Sequence, residues 1–99
     1  MIIERMILQV IPGKFAELQA FDQKVKPLEV RLGFPPKRRL RSLIGWHDTD
    51  TMIVEREWES LAAMEAAYTK AYADPEHQVS LAETISLIKS IKTEIYMLL

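Results

Sequence analysis

Between Ile53 and Tyr68 the chain reads "IVEREWESLAAMEAAY" and changes hydrophobic period once. Up to Trp58 apolar and polar residues alternate, as on a strand with one buried face. From Ser60 onward the apolar positions recur every three to four residues, as on a helix. Only Glu59 separates the two regimes, and Ser60 is a good helix N-cap. The same strand-then-helix order appears at the start. Ile2 to Ile11 alternates, Pro12-Gly13 marks a turn, and Phe15, Leu18, Phe21 or Asp22, Val25, Leu28 and Leu32 form a helical stripe from about Lys14 to Leu32. Two such units in 99 residues restrict the chain to a single α+β domain spanning residues 1–99.

The rest of the chain fills in around these units. Pro27 lies inside the first helical stripe and predicts a kink near Val25 or Lys26. Gly33 is placed to end that helix, and Pro35-Pro36 prevents its continuation. Arg38 to His47 reads as a second strand, "HDTDT" as a polar turn, and Met52 to Trp58 as the third strand. The second helix runs from Ser60 to about Tyr72, with Leu61, Met64, Tyr68 and Ala71 or Tyr72 inward. In "ADPEHQ", Asp74 is an N-cap, Pro75 the first helical residue and Glu76 a first-turn acid, which opens a further helix to about Ile85 or Leu87. Ile91 to Leu98 reads as the fourth strand. The order β-α-β-β-α-(α)-β, with right-handed crossovers, sets strand one beside strand three and strands four and two at the edges. This is a ferredoxin-like antiparallel sheet with helices on one face and the other face open.

Charge and composition narrow the function classes. Formal net charge is −1, so no overall field recruits nucleic acid or an anionic membrane. The run Lys37-Arg38-Arg39 with Arg41 is a local exception, but the strands lack the exposed aromatic pair with which ferredoxin-like RNA binders stack bases. No cysteine is present, which excludes disulfides and thiol chemistry and fits a reducing, cytoplasmic setting. "MIIERMILQVI" is broken by Glu4 and Arg5, so it reads as a strand and not as a signal peptide, and no apolar run is long enough to span a bilayer. There is no phosphate loop, nucleophile elbow or metal-binding helix, so neither a cofactor nor a metal is expected.

Period two sorts the strands into faces. The helix side takes Met6, Leu8 and Val10 from strand one, Leu40, Ile44 and Trp46 from strand two, and Met52, Val54 and Trp58 from strand three, with Arg56 the odd member. The open side then carries Arg5, Ile7, Gln9, Arg39, Arg41, Leu43, His47, Ile53, Glu55 and Glu57. This partition needs an odd-membered connection between strands two and three; an even one would exchange the faces of strand two. The open face is too apolar to stand free, so a homodimer that packs two such faces together is expected. Its polar members, Arg5, Gln9, Arg39, Arg41, His47, Glu55 and Glu57, are the candidate pocket residues. Glu55 and Glu57 fit an acid–base pair or, more simply, an ion-paired interface with Arg5, Arg39 or Arg41. Arg39 and Arg41 suit a carboxylate ligand. His47 is a candidate base beside a turn, and His77 reads as surface packing.

Four stretches, "PGK", "KPLEVRLGF", "WESLAAMEAAY" and "ADPEHQ", follow one another between Pro12 and Gln78 in an order and spacing that resembles NIPSNAP-like proteins of the dimeric α+β-barrel superfamily. The resemblance implies a barrel made by two subunits. It also implies a small, mostly apolar or anionic molecule bound between the sheets, with no agreed catalytic residue to carry over. Related barrels include cofactor-independent and haem-related monooxygenases, which supplies an alternative reading as an enzyme of that kind. The chain departs from the resemblance at Arg56 and Glu57, where apolar or aromatic residues are usual.

Overall fold

Outside β2, alternating sequence becomes strand and periodic sequence becomes helix in the computed structural model, which describes residues 1–99. The elements in order are β1 (Ile2–Val10), α1 (Phe15–Lys24), α2 (Lys26–Arg31), β2 (Lys37–Arg41), β3 (Thr51–Trp58), α3 (Leu61–Tyr72), α4 (Pro75–Ser86) and β4 (Ile88–Met97). The four strands form one antiparallel sheet in the order β2-β3-β1-β4, the expected ferredoxin-like arrangement. The long first helix is broken where Pro27 predicts it: α1 ends at Lys24, Val25 joins the two segments, and Pro27 sits in the first turn of α2. Gly33 follows α2 at φ 81°, a left-handed conformation that suits glycine alone. Ser60 caps α3 by accepting from the Ala63 amide, and Asp74 caps α4 by accepting from that of His77.

The core lies between the helices and one face of the sheet. β1 contributes Ile2, Leu8 and Val10 to it, and β3 contributes Met52, Val54 and Trp58, all buried. Leu18, Leu28, Leu32 and Ala71 meet them from the helices. Phe34 packs edge-on against Trp58 with ring centroids 5.6 Å apart. Leu61, by contrast, is 52% exposed and does not belong to the inward face of α3.

The sheet departs from the sequence reading mainly in β2. The strand covers Lys37–Arg41 and stops well short of His47. Arg41 pairs with Met52, so residues 42–51 connect them, an even number where the face assignment needed an odd one. Every side chain of β2 therefore sits on the other face. Leu40 stands beside Ile53 on the open side, while Arg39 and Arg41 stand beside Val54 and Met52 on the helix side. Ile44 and Trp46, expected under the helices, lie in the connecting loop with almost all of their surface exposed. The loop is nonetheless ordered by its polar groups: the Ser42 hydroxyl donates to the His47 carbonyl at 2.8 Å, and the Arg41 guanidinium to that of Thr49 at 2.7 Å. β4 begins at Ile88, three residues earlier than expected.

Candidate functional site

Two charges interrupt the apolar helix-side face of the central strands, and the register sets them against each other. Glu4 on β1 pairs with Arg56 on β3, and Arg56 pairs in turn with Lys37 on β2. Glu4 and Arg56 are each only 3% exposed, so both need partners. Glu4 accepts from Trp58 Nε1 at 3.0 Å and from the Tyr68 hydroxyl at 2.5 Å, one donor to each carboxylate oxygen. Arg56 pairs with Glu29 of α2, donates to the Pro35 carbonyl at 3.2 Å, and lies over the Phe34 ring. Lys37 bridges Glu29, at 3.0 Å, and Asp22, and Asp22 also binds Arg39. The result is an alternating series: Glu4, Arg56, Glu29, Lys37, Asp22, Arg39. Burial lowers the pKa values of Arg56 and Lys37 against the opposing pull of their acidic neighbours. It raises that of the Tyr68 phenol, and the hydrogen bond to Glu4 adds to the effect, so Tyr68 stays protonated.

Five of its members, Glu4, Arg56, Glu29, Lys37 and Asp22, form the polar wall of a cavity of about 540 Å³ between the helices and the sheet. Of the 21 lining residues 12 are hydrophobic, including Met6, Leu8 and Val54 from the sheet and Leu28, Met64 and Leu81 from the helices. The volume and the mixture match sites that take up small organic molecules. Phe34, Tyr68, Tyr72 and His77 give the cavity an aromatic side, with Tyr68 and Tyr72 stacked 5.9 Å apart. His77 is thus half-buried against the cavity rather than on the outer surface. Its Nδ1 is enclosed without a hydrogen-bond partner, and burial lowers its pKa, which favours the neutral ring.

The residues singled out by sequence fall into three places. Arg5, Gln9, Glu55 and Glu57 do lie on the open face. Glu55 is 5% exposed there because Arg5 reaches it at 2.6 Å and Arg38 at 2.6 Å. The hydrogen bonds from Arg38 and then Arg5 hold its carboxyl below the usual glutamate range. Glu57 is exposed, and with Glu55, Ile3 and Arg38 it borders a smaller groove of about 350 Å³. Gln9 donates to Asp48 at 3.0 Å at the base of the β2–β3 loop. Arg39 and Arg41 belong to the opposite face, where Arg39 is held by Asp22 and Arg41 lies over the Phe15 ring. His47 is in the loop, apart from both. Glu4, Lys37 and Tyr68 escaped the sequence reading as site residues. The signal for Glu4 was present: it shares the parity of Ile2, Met6, Leu8 and Val10, and a charge on a core parity demands a partner.

No protein-family model matches the chain, and no curated protein resembles it significantly in sequence. Solved structures do resemble it. A NIPSNAP domain protein of Burkholderia xenovorans superposes with a TM-score of 0.85 at 14% identity, over 100% of this chain and 95% of that one. A NIPSNAP family protein of Agrobacterium tumefaciens gives 0.84 at 20% identity, over 99% and 85%. A cofactor-independent oxygenase of Streptomyces nogalater gives 0.72 at 17% identity, over 98% and 91%. The chain therefore has the fold shared by NIPSNAP domain proteins and, more distantly, by monooxygenase-like proteins.

Proposed function

We propose that this protein is a homodimer that binds a small, mostly apolar, uncharged molecule in the cavity between its helices and its sheet. The alternating wall carries the proposal. In the wall Lys37 is engaged by Asp22 and Glu29, and Arg56 by Glu29, so no cation there is left over to hold an anion. Arg39 and Arg41, the two side chains best suited to a carboxylate ligand, are engaged by Asp22 and Phe15. An anion entering the cavity would lose water without gaining a counter-ion. Calorimetric titration with a naphthol and with the matching naphthoate tests this. The naphthol binds, and the naphthoate binds at least about tenfold more weakly, as the burial of an uncompensated charge requires. Equal or tighter binding of the naphthoate would refute the neutral-ligand reading.

The homodimer rests on the open face. Ile3, Ile7 and Ile53 are part-buried there and Leu40 is 43% exposed, with no helix left to cover them. A second reading, oxygen addition to the bound molecule without a cofactor, draws support from the likeness to the Streptomyces oxygenase and from Glu4. Each oxygen of that carboxylate accepts one hydrogen bond and retains a lone pair with which to take a proton from a bound acid. Oxygen uptake with hydroxylated aromatic substrates, abolished in Glu4→Gln while binding persists, separates this reading from binding alone.

A further inference from the structure

The strand register sorts the cavity floor into rows that cross the sheet. One row supplies Lys37 on β2, Arg56 on β3, Glu4 on β1 and Ile95 on β4. The next supplies Val54, Met6 and Thr93, and the one beyond it Leu8 and Ile91. One end of the floor is therefore charged and the other apolar. Glu4 and Leu8 are four residues apart on β1, which sets the two ends roughly 13 Å apart. Along β4 the floor is open: Ile91 and Ile95 are 49% and 41% exposed, whereas Glu4 and Arg56 are buried. α4 roofs the cavity without closing it. His77, Ser80, Leu81 and Thr84 recur at helical spacing and line the cavity, yet no residue of α4 is buried. A helix packed directly on the sheet would bury such a stripe. The Thr84 hydroxyl turns back on its own helix and donates to the Ser80 carbonyl at 3.1 Å.

We infer that the ligand is a neutral alcohol or phenol bearing an alkyl chain, bound with its hydroxyl at Glu4 and its chain running along β4 toward Ile91, beneath Leu81 of α4. This names the ligand class of the cavity site proposed above and rests on that reading. The hydroxyl finds a carboxylate with acceptor capacity left, since each oxygen of Glu4 takes one hydrogen bond from within the chain. The chain covers Ile91 and Leu81, which otherwise stay largely in water. The reverse orientation does worse at both ends. It lays the chain against Glu4 and Arg56 and desolvates both charges. It also sets the hydroxyl among Leu8, Leu81 and Ile91, whose side chains offer it no hydrogen bond. Because the floor is open along β4, a chain longer than the cavity extends into solvent.

Calorimetric titration of the full chain with para-ethylphenol, para-butylphenol and para-hexylphenol reads the dependence on chain length. Affinity rises about twofold to fourfold for each added methylene through the hexyl chain, which is long enough to reach Ile91 from Glu4. Substitution then locates the chain, since any apolar site rewards a longer one. In Ile91→Ser, para-hexylphenol binds at least about fivefold more weakly than to the wild type, while para-ethylphenol stays within about twofold. Leu81→Ser, on the facing helix, has the same selective effect and serves if Ile91→Ser fails to fold. A wild type indifferent to chain length would overturn the inference while leaving the naphthol site intact. So would variants that weaken the short and the long phenol equally, or neither. If neither the naphthol nor any alkylphenol binds, the proposed ligand site itself fails, and this inference with it.

Discussion

Arg56 shows how much a single residue can reveal. On one strand it is an anomaly, a charge among Met52, Val54 and Trp58. Once β1 and β3 are paired it stands against Glu4, and the anomaly becomes one side of a polar cavity wall. Parity was legible in the sequence; the identity of the opposing residue was not, because it depends on register. The buried pair that Arg56 makes with Glu29 is the one whose loss matters most. Arg56→Met strands Glu29 with Lys37 as its remaining cation, and it lowers the unfolding free energy in urea by about 3 kcal/mol, the usual effect of removing one partner of a buried pair. Glu55 makes a different prediction, in pH. Its carboxyl is held below the ordinary value by Arg38 and Arg5, so its contribution to stability is complete above the unfolded value of about 4.3. That contribution fades as pH falls through the lower folded value. Thermal unfolding of Glu55→Gln is therefore shifted down at neutral pH, and the curves of variant and wild type converge in acid.

Elements were legible where their signals are local. Ser60, Asp74, Pro27 and Gly33 each act within a few residues of where they stand, and each has the capping, kinking or turning role that the sequence assigns to it. β2 was misread because its facing depends on whether the connection to β3 is odd or even, and the composition of residues 42–51 gives no sign of which. Two differences follow: the parity moves Arg39 and Arg41 off the open face, and the early end of the strand at Arg41 leaves Ile44 and Trp46 in the loop. The two tryptophans report on this directly. Trp46→Ser changes the unfolding free energy of the subunit by less than about 0.5 kcal/mol, because the side chain is 97% exposed. Trp58→Ala lowers it by about 3–5 kcal/mol, since it empties a buried site and removes a donor from Glu4. Chemical denaturation at matched subunit concentration measures both.

For the whole molecule, the sheet divides two tasks between its faces. The helix side encloses the cavity, and the open side carries a cross-strand row of Arg38, Glu55, Arg5 and Glu94. The sequence points to the fold and to a mixed open face, and from that face alone the natural place for a ligand is between two sheets. The cavity under the helices was not legible, because it depends on gaps left between packed side chains rather than on any pattern along the chain. Which face receives the ligand is the central claim, and methyl groups on the two faces distinguish the outcomes. In a methyl-labelled sample titrated with the naphthol, the account predicts saturable shifts in the NMR signals of Met64, Leu81 and Ile91 beside the cavity, with Ile3, Ile7 and Ile53 on the open face unmoved. Shifts confined to Ile3, Ile7 and Ile53 would contradict it.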